Sequence, residues 1–193
     1  MKNVRGSNWR KKLEVKRGEV ALPKDMLVWL SKRPKATFTE VWKEAITEDE
    51  EGEGDKPTVP LVWLPYLAWA GRATQGELVT SACGTALLYL AAIHVGRKEP
   101  AALALSTVTD WLDGRATKKQ VTGARKAIYT GEDTSSQQEW FALMAVQMAV
   151  NTVDVSKSEY AVDAAAASLY YAERALISPV ILLRAFTGWL ILP

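Results

Sequence analysis

The chain has 193 residues, of which 48% are hydrophobic, with 24 Lys and Arg against 22 Asp and Glu and a net charge of +2. That is enough material for one domain with a real core, and it excludes global disorder. Near-neutral charge speaks against a chain-wide nucleic-acid interface, and a single cysteine, Cys83, excludes an intramolecular disulfide.

Residues 1–22 form a basic arm. With the next stretch, residues 1–35 carry 11 basic and 3 acidic side chains, whereas residues 36–60 carry 2 and 8. A basic arm beside an acidic patch can pair within the molecule or steer partners of opposite sign. Leu13-Glu-Val-Lys16 alternates apolar and charged residues, as a half-exposed strand does. The arm is therefore either a two-stranded flap from Lys12 to Leu22, turning at Arg17-Gly18, or a loosely docked segment. It lacks the apolar stretch of a leader peptide, and with the lone cysteine this leads to the expectation of a reducing, cytoplasmic setting.

Residues 23–193 are expected to form a single helical domain with an acidic loop at 48–60. Pro23 opens a helix to about Ser31, where a missing N–H does no harm. A second helix runs from Phe38 to about Thr47 with Val41, Trp42 and Ala45 inward. It dissolves into Glu48-Asp-Glu-Glu-Gly-Glu-Gly-Asp55, too acidic and glycine-rich to bury a core. Further helices are predicted from Leu61 to Ala70, Thr74 to about Val95, Pro100 through Trp111, Thr117 to Gly131, Ser135 or Ser136 to about Val150, Ser156 to Leu176, and Pro179 to about Leu190. Five of the helix starts, that of the helix at Phe38 included, carry capping boxes, in which a hydroxyl bonds the N3 amide and a Glu or Gln reaches back. These are Thr37-Phe-Thr-Glu40, Thr74-Gln-Gly-Glu77, Thr117-Lys-Lys-Gln120, Ser135-Ser-Gln-Gln138 and Ser156-Lys-Ser-Glu159. Gly71, Gly96, Gly114 and Gly131 stand where left-handed C-caps are needed.

Omitting Ser135, the boxes are 37, 43 and 39 residues apart. Alanine fills 24 of the 133 positions after residue 60, which lets helices approach closely, and eight Trp supply bulk between them. The fold class is all-α: about eight or nine helices in antiparallel hairpins, forming a bundle or a short helical-repeat array. No run reaches 18 uninterrupted apolar residues, so no membrane span is expected. Ala175–Pro193 comes nearest, broken by Ser178, Pro179 and Arg184, and reads as a docking terminal helix.

No catalytic set can be assembled. His94, the only histidine, is expected near a helix C-terminus about three turns from Cys83 on one helix, out of each other's reach. Cys83 lies among small residues in Ser81-Ala-Cys-Gly84, a composition for close helix packing. One His and one Cys fall short of a zinc set. Asp110 and Asp113 read as solvated helix-end charge, and no phosphate-loop motif exists. Neither a metal, nor a cofactor, nor enzymatic activity is expected.

Three surfaces are candidates for binding. The acidic patch comprises Glu40, Glu44, Glu48, Asp49, Glu50, Glu51, Glu53 and Asp55, and would meet a basic protein partner. The basic arm comprises Arg5, Trp9, Arg10, Lys11, Lys12, Lys16 and Arg17, and could track a phosphate backbone, although nucleic acid is the weaker alternative. The apolar tail offers Val180, Leu183, Phe186, Trp189 and Leu190 as an oligomer contact. On the helix from Ser156, Tyr160, Ala164, Ala167 and Tyr171 share one side, serving either core packing or a partner's groove.

Trp63-Leu-Pro-Tyr-Leu-Ala-Trp69, Val79-Thr-Ser-Ala-Cys83, Glu99-Pro100-Ala-Ala-Leu, Trp111-Leu-Asp-Gly114 and Ala164-Ala-Ala-Ala-Ser-Leu-Tyr-Tyr-Ala172 together resemble the Imm5-like family of alanine-rich helical immunity proteins. The likeness covers about residues 37–176. It implies an intracellular protein that binds and neutralises a toxin, and it transfers no functional residues. The acidic insertion, the basic arm and the apolar tail depart from the family's pattern. The function expected is non-enzymatic protein binding, with a toxin or a host factor as partner. The alternatives are a structural protein oligomerising through its tail and nucleic-acid binding through its arm.

Overall fold

A computed structural model describes residues 9–13, 22–49, 56–128, 136–154 and 158–190. These contain ten α-helices: α1 (9–13), α2 (Lys24–Ser31), α3 (Phe38–Ala45), α4 (Leu64–Ala70), α5 (Gln75–Ala86), α6 (Val95–Leu112), α7 (Lys118–Ala127), α8 (Gln137–Asp154), α9 (Ser158–Arg174) and α10 (Pro179–Thr187). Short 3-10 helices at Leu61–Trp63 and Leu87–Ala92 precede α4 and follow α5. A two-residue antiparallel pair, β1 (Glu48–Asp49) with β2 (Lys56–Pro57), joins the two ends of the acidic segment. The chain is all-α, as its caps and periodicity predict.

The caps form as read. Thr37 accepts from the Glu40 amide at 3.3 Å while the Glu40 carboxylate accepts from the Thr37 amide at 2.7 Å. Thr74 with Glu77 and Thr117 with Gln120 repeat this reciprocal bonding. Ser136 caps α8 by accepting from the Glu139 amide at 3.1 Å. The Ser156 box lies outside the described residues.

An antiparallel hairpin of α8 and α9 is the centre of the bundle, with α5 against both. Its register is held where Ser168 Oγ donates to the Ala145 carbonyl (2.8 Å) and Gln138 Nε2 to the Ala175 carbonyl (3.0 Å). Ala161, Ala164, Ala165, Ala166 and Ala172 are buried on α9, and their small side chains let its neighbours approach. The helix also reaches back to α4, where the Tyr66 hydroxyl donates to Asp163 at 3.0 Å. In a one-dimensional repeat each unit touches only its neighbours. Contact between α9 and α4, about a hundred residues apart, makes this a closed bundle.

Several local expectations change. Residues 9–13 are helical rather than loosely docked, with Trp9 and Leu13 buried in the core and Trp9 edge-on to Phe38, while residues 14–21, which hold most of the expected flap and its turn, lie outside the described residues. The helix expected from Thr74 to Val95 tightens at Leu87, and α6 begins at Val95 rather than at Pro100, which lies inside it. The apolar run Leu87–Ala92 has no polar stripe from which to read a helical phase. The chain is then caught by a distant group: the buried Glu139 carboxylate accepts from the His94 amide at 2.9 Å. His94 therefore caps the start of α6, accepting at Nδ1 from Gly96, instead of closing a preceding helix. Gly114 is left-handed as expected (φ 74°). Gly71 is not (φ −72°), and Arg72 takes the positive φ. What requires glycine at 71 is space, since a Cβ there would overlap the Phe38 ring. Gly96 falls within α6, and Gly131 lies outside the described residues.

Candidate protein interface

The acidic patch is largely committed elsewhere. Glu40 is consumed by the α3 cap, its carboxyl held below the ordinary range by the Thr37 amide and hydroxyl. Glu44 makes a two-pronged ion pair with Arg33, whose guanidinium also stacks on Trp29. Glu48 and Asp49 contribute backbone to the β pair, and Glu50, Glu51, Glu53 and Asp55 lie outside the described residues.

The basic arm also turns inward. Trp9 is buried, so it is not available to stack on a base. Arg10 stacks on Trp9 with its guanidinium 4.3 Å from the ring centroid and donates to the Leu30 carbonyl in the last turn of α2 and to the Arg33 carbonyl just beyond it. Lys12 donates to the Trp69 carbonyl at 3.3 Å. Partial burial lowers the pKa of both, with the nearby Arg72 adding to the effect at Lys12. Lys11 is exposed, and Arg5, Lys16 and Arg17 lie outside the described residues.

The tail requires the clearest correction. Val180, Leu183 and Phe186 are buried within the chain's own core along with Leu182, so three of the five proposed oligomer contacts are internal. The physical reason is α10's amphipathic spacing, which places these four on the side packed against α5 and α9. Leu190 is half-buried, whereas Trp189 remains 52% exposed, lying over the bare Cα of Gly84.

Cys83 is packed as expected, its Sγ 3.5 Å from the Ala149 carbonyl and its pKa pushed up to about 12 by burial, which keeps the thiol protonated. Asp110 and Asp113 are both paired with Arg115 at 2.8 Å. Among the described residues no group of three or more His, Cys, Asp and Glu side chains converges as a metal site would require. Likewise no helix among them is long and apolar enough to cross a membrane.

A partly exposed aromatic cluster lies where the start of α8 meets the end of α9. Trp140 lies edge-on to Phe141 (5.2 Å between ring centroids) and to Tyr171 (5.8 Å), while Phe141 and Tyr171 stack at 6.3 Å. Tyr170 meets Tyr171 edge-on at 5.4 Å. Arg174 lies over the Tyr170 ring at 4.4 Å and over Phe141 at 5.9 Å. Trp140, Phe141 and Tyr171 are half-buried, and Tyr170 and Arg174 are exposed. Leu176, two residues beyond Arg174, is 79% exposed and holds a left-handed backbone, φ 62°.

The hairpin builds this site. Antiparallel register brings residues near 140 level with residues near 171, and the Gln138–Ala175 bond fixes that end. Edge-on and stacked ring contacts of this kind favour the arrangement beyond the area they bury. Half-buried Met144 and Met148 continue the same side of α8. Sequence reasoning singled out Tyr171 of this cluster but missed Trp140, Phe141, Tyr170, Arg174 and Leu176, and its Tyr160 stands exposed near the other end of α9. The available signals were the two aromatic doublets and a leucine standing where a helix end favours glycine.

Comparison of the chain with protein-family models, with curated proteins and with solved structures finds no match in any of the three.

Proposed function

We propose that this is a non-enzymatic protein-binding module, and that its docking face is the Trp140, Phe141, Tyr170, Tyr171, Arg174 and Leu176 cluster rather than the acidic patch. The observation that carries this reading is Leu176. A large apolar side chain is held almost fully in water on a backbone that costs an L-residue about 1–2 kcal/mol. The fifth or so of the side chain that folding buries offsets only part of that cost, whereas a partner would gain an apolar anchor. The cluster at this end of the hairpin is made of aromatic residues and arginine, types enriched at the centres of protein interfaces. The partner class is the one implied by the immunity-protein resemblance: a toxin, or a host factor inhibited in the same manner.

The test is capture from extract of the cells that carry the protein, using the wild-type chain and a Tyr170→Ser/Leu176→Gly variant side by side. A protein bound stoichiometrically by the first and lost by the second supports the proposal. A partner held equally by both, or none held by either, overturns it. A second reading keeps one element of the tail: Trp189 beside the exposed Leu87 and Leu88 could join two copies. It requires a dimer in light scattering that Trp189→Ser converts to monomer.

A further inference from the structure

We infer that the partner of this face presents a carboxylate flanked by an apolar side chain, and that Arg174 with Leu176 receives the pair. This rests on the protein-binding reading above and names the chemistry of what binds.

The argument begins with the Arg174 guanidinium. It lies 4.4 Å from the Tyr170 ring centroid and 5.9 Å from that of Phe141, so two aromatic rings, and no hydrogen bond, place it. Among the described residues its N–H groups donate to no acceptor, and it makes no ion pair within 4.0 Å. Other arginines with resolved partners spend their donors inside the fold: Arg33 on Glu44, Arg115 on Asp110 and Asp113, and Arg125 on Asn151. A guanidinium stacked on aromatic rings keeps its donor edge outward, in the fork geometry that matches a carboxylate. Stacking also removes in advance the rotamer freedom that such a pair would otherwise lose.

The neighbouring carboxyl does not fill the role. Glu173 is one residue away, on the adjacent side of α9, half-buried and desolvated. Its pKa is raised by that burial, with Arg174's charge pulling the other way without direct pairing. The fork is thus left for an acid from outside. Two residues on, Leu176 presents the exposed apolar surface that an adjacent side chain of the partner would cover.

The experiment is selection of phage-displayed random 12-residue peptides on the wild-type protein, followed by anisotropy titration of the enriched peptides against wild type, Arg174→Met and Leu176→Gly. Methionine keeps much of the stacking surface and removes the charge and the donors. The expected result is a consensus with Asp or Glu next to Leu, Phe or Trp. Its affinity should fall about tenfold or more in Arg174→Met and in Leu176→Gly, and in the wild type with added salt. Acid-free or basic enriched peptides, or acidic peptides that bind Arg174→Met as tightly as wild type, would overturn the inference, as would no enrichment. If acid-free peptides are lost on Tyr170→Ser, the face still binds protein and only the partner's chemistry is wrong. If enriched peptides ignore every variant of the face, the binding reading fails with it.

Discussion

Replacing Leu176 with glycine should make the protein more stable, and replacing it with alanine should not. At φ 62° an L-residue suffers a clash between Cβ and the following carbonyl costing about 1–2 kcal/mol, and glycine does not. The extra freedom of glycine in the unfolded chain returns roughly 0.4–1 kcal/mol. At 79% exposure only about a fifth of the leucine is buried, so its removal sacrifices roughly 0.3–0.6 kcal/mol of the roughly 1.5–3 for a whole side chain. Leu176→Gly should therefore gain about 0.5 kcal/mol over wild type. Leu176→Ala, which keeps the strain and loses the same burial, should lose about 0.5. The difference between the two, about 1 kcal/mol or roughly 2–4 °C in Tm for a chain of this size, is the backbone strain less the unfolded-chain freedom of glycine. Calorimetry on the three proteins reads it directly. Arg72, exposed at φ 82°, provides an independent pair of variants at a site remote in sequence. Should Leu176→Gly melt no higher than Leu176→Ala, the leucine would not be strained, and the case for its being kept for a partner would collapse.

Phe186→Ala should destabilise by about 3–5 kcal/mol in urea titration, because its ring is fully buried; a variant with wild-type stability and altered self-association would instead return the tail to the surface. Glu139→Ala should cost about 2–3 kcal/mol, since it strips the His94 amide of its acceptor and leaves Arg97, 3.7 Å away and mostly buried, without this counter-charge. That loss should appear as faster amide exchange at the start of α6. Glu173 has a folded pKa raised above its ordinary value by burial, so its protonated form is the one that folding favours. Its contribution is full below the ordinary carboxylate range and is lost as pH rises through the higher folded value. Thermal melts from pH 4 to pH 8 should accordingly show Glu173→Gln gaining on wild type as pH rises, and parallel curves would contradict this.

The helix starts were legible because a capping box is local: Thr37, Thr74 and Thr117 each find both partners within three residues. The helix ends were less so, because distant groups decide them. Gly71 signals a left-handed cap, yet it is retained for the Phe38 ring, and the turn passes to Arg72. The break before α6 is set by Glu139, 45 residues further along the chain, which no window around His94 contains. The binding surfaces misled for the same reason. Charge blocks at 1–35 and 36–60 look free in sequence, but Arg10, Arg33, Glu40 and Glu44 are engaged by carbonyls, a cap and one another. The tail looks too apolar for a small domain until α5 and α9 are seen to cover Val180, Leu182, Leu183 and Phe186. Conversely, the aromatic face was hidden because its rings come from two helices whose register only the folded hairpin supplies.

Hydroxyl-radical footprinting of the chain with and without its captured partner tests the central claim most directly, because it reads side chains and contains its own comparison. Trp140, Tyr170 and Leu176 should lose reactivity in the complex while the exposed Trp189 and Leu87 keep theirs. Protection at Trp189 and Leu87, with Tyr170 and Leu176 unchanged, would place the interface on the other exposed apolar surface and contradict the account.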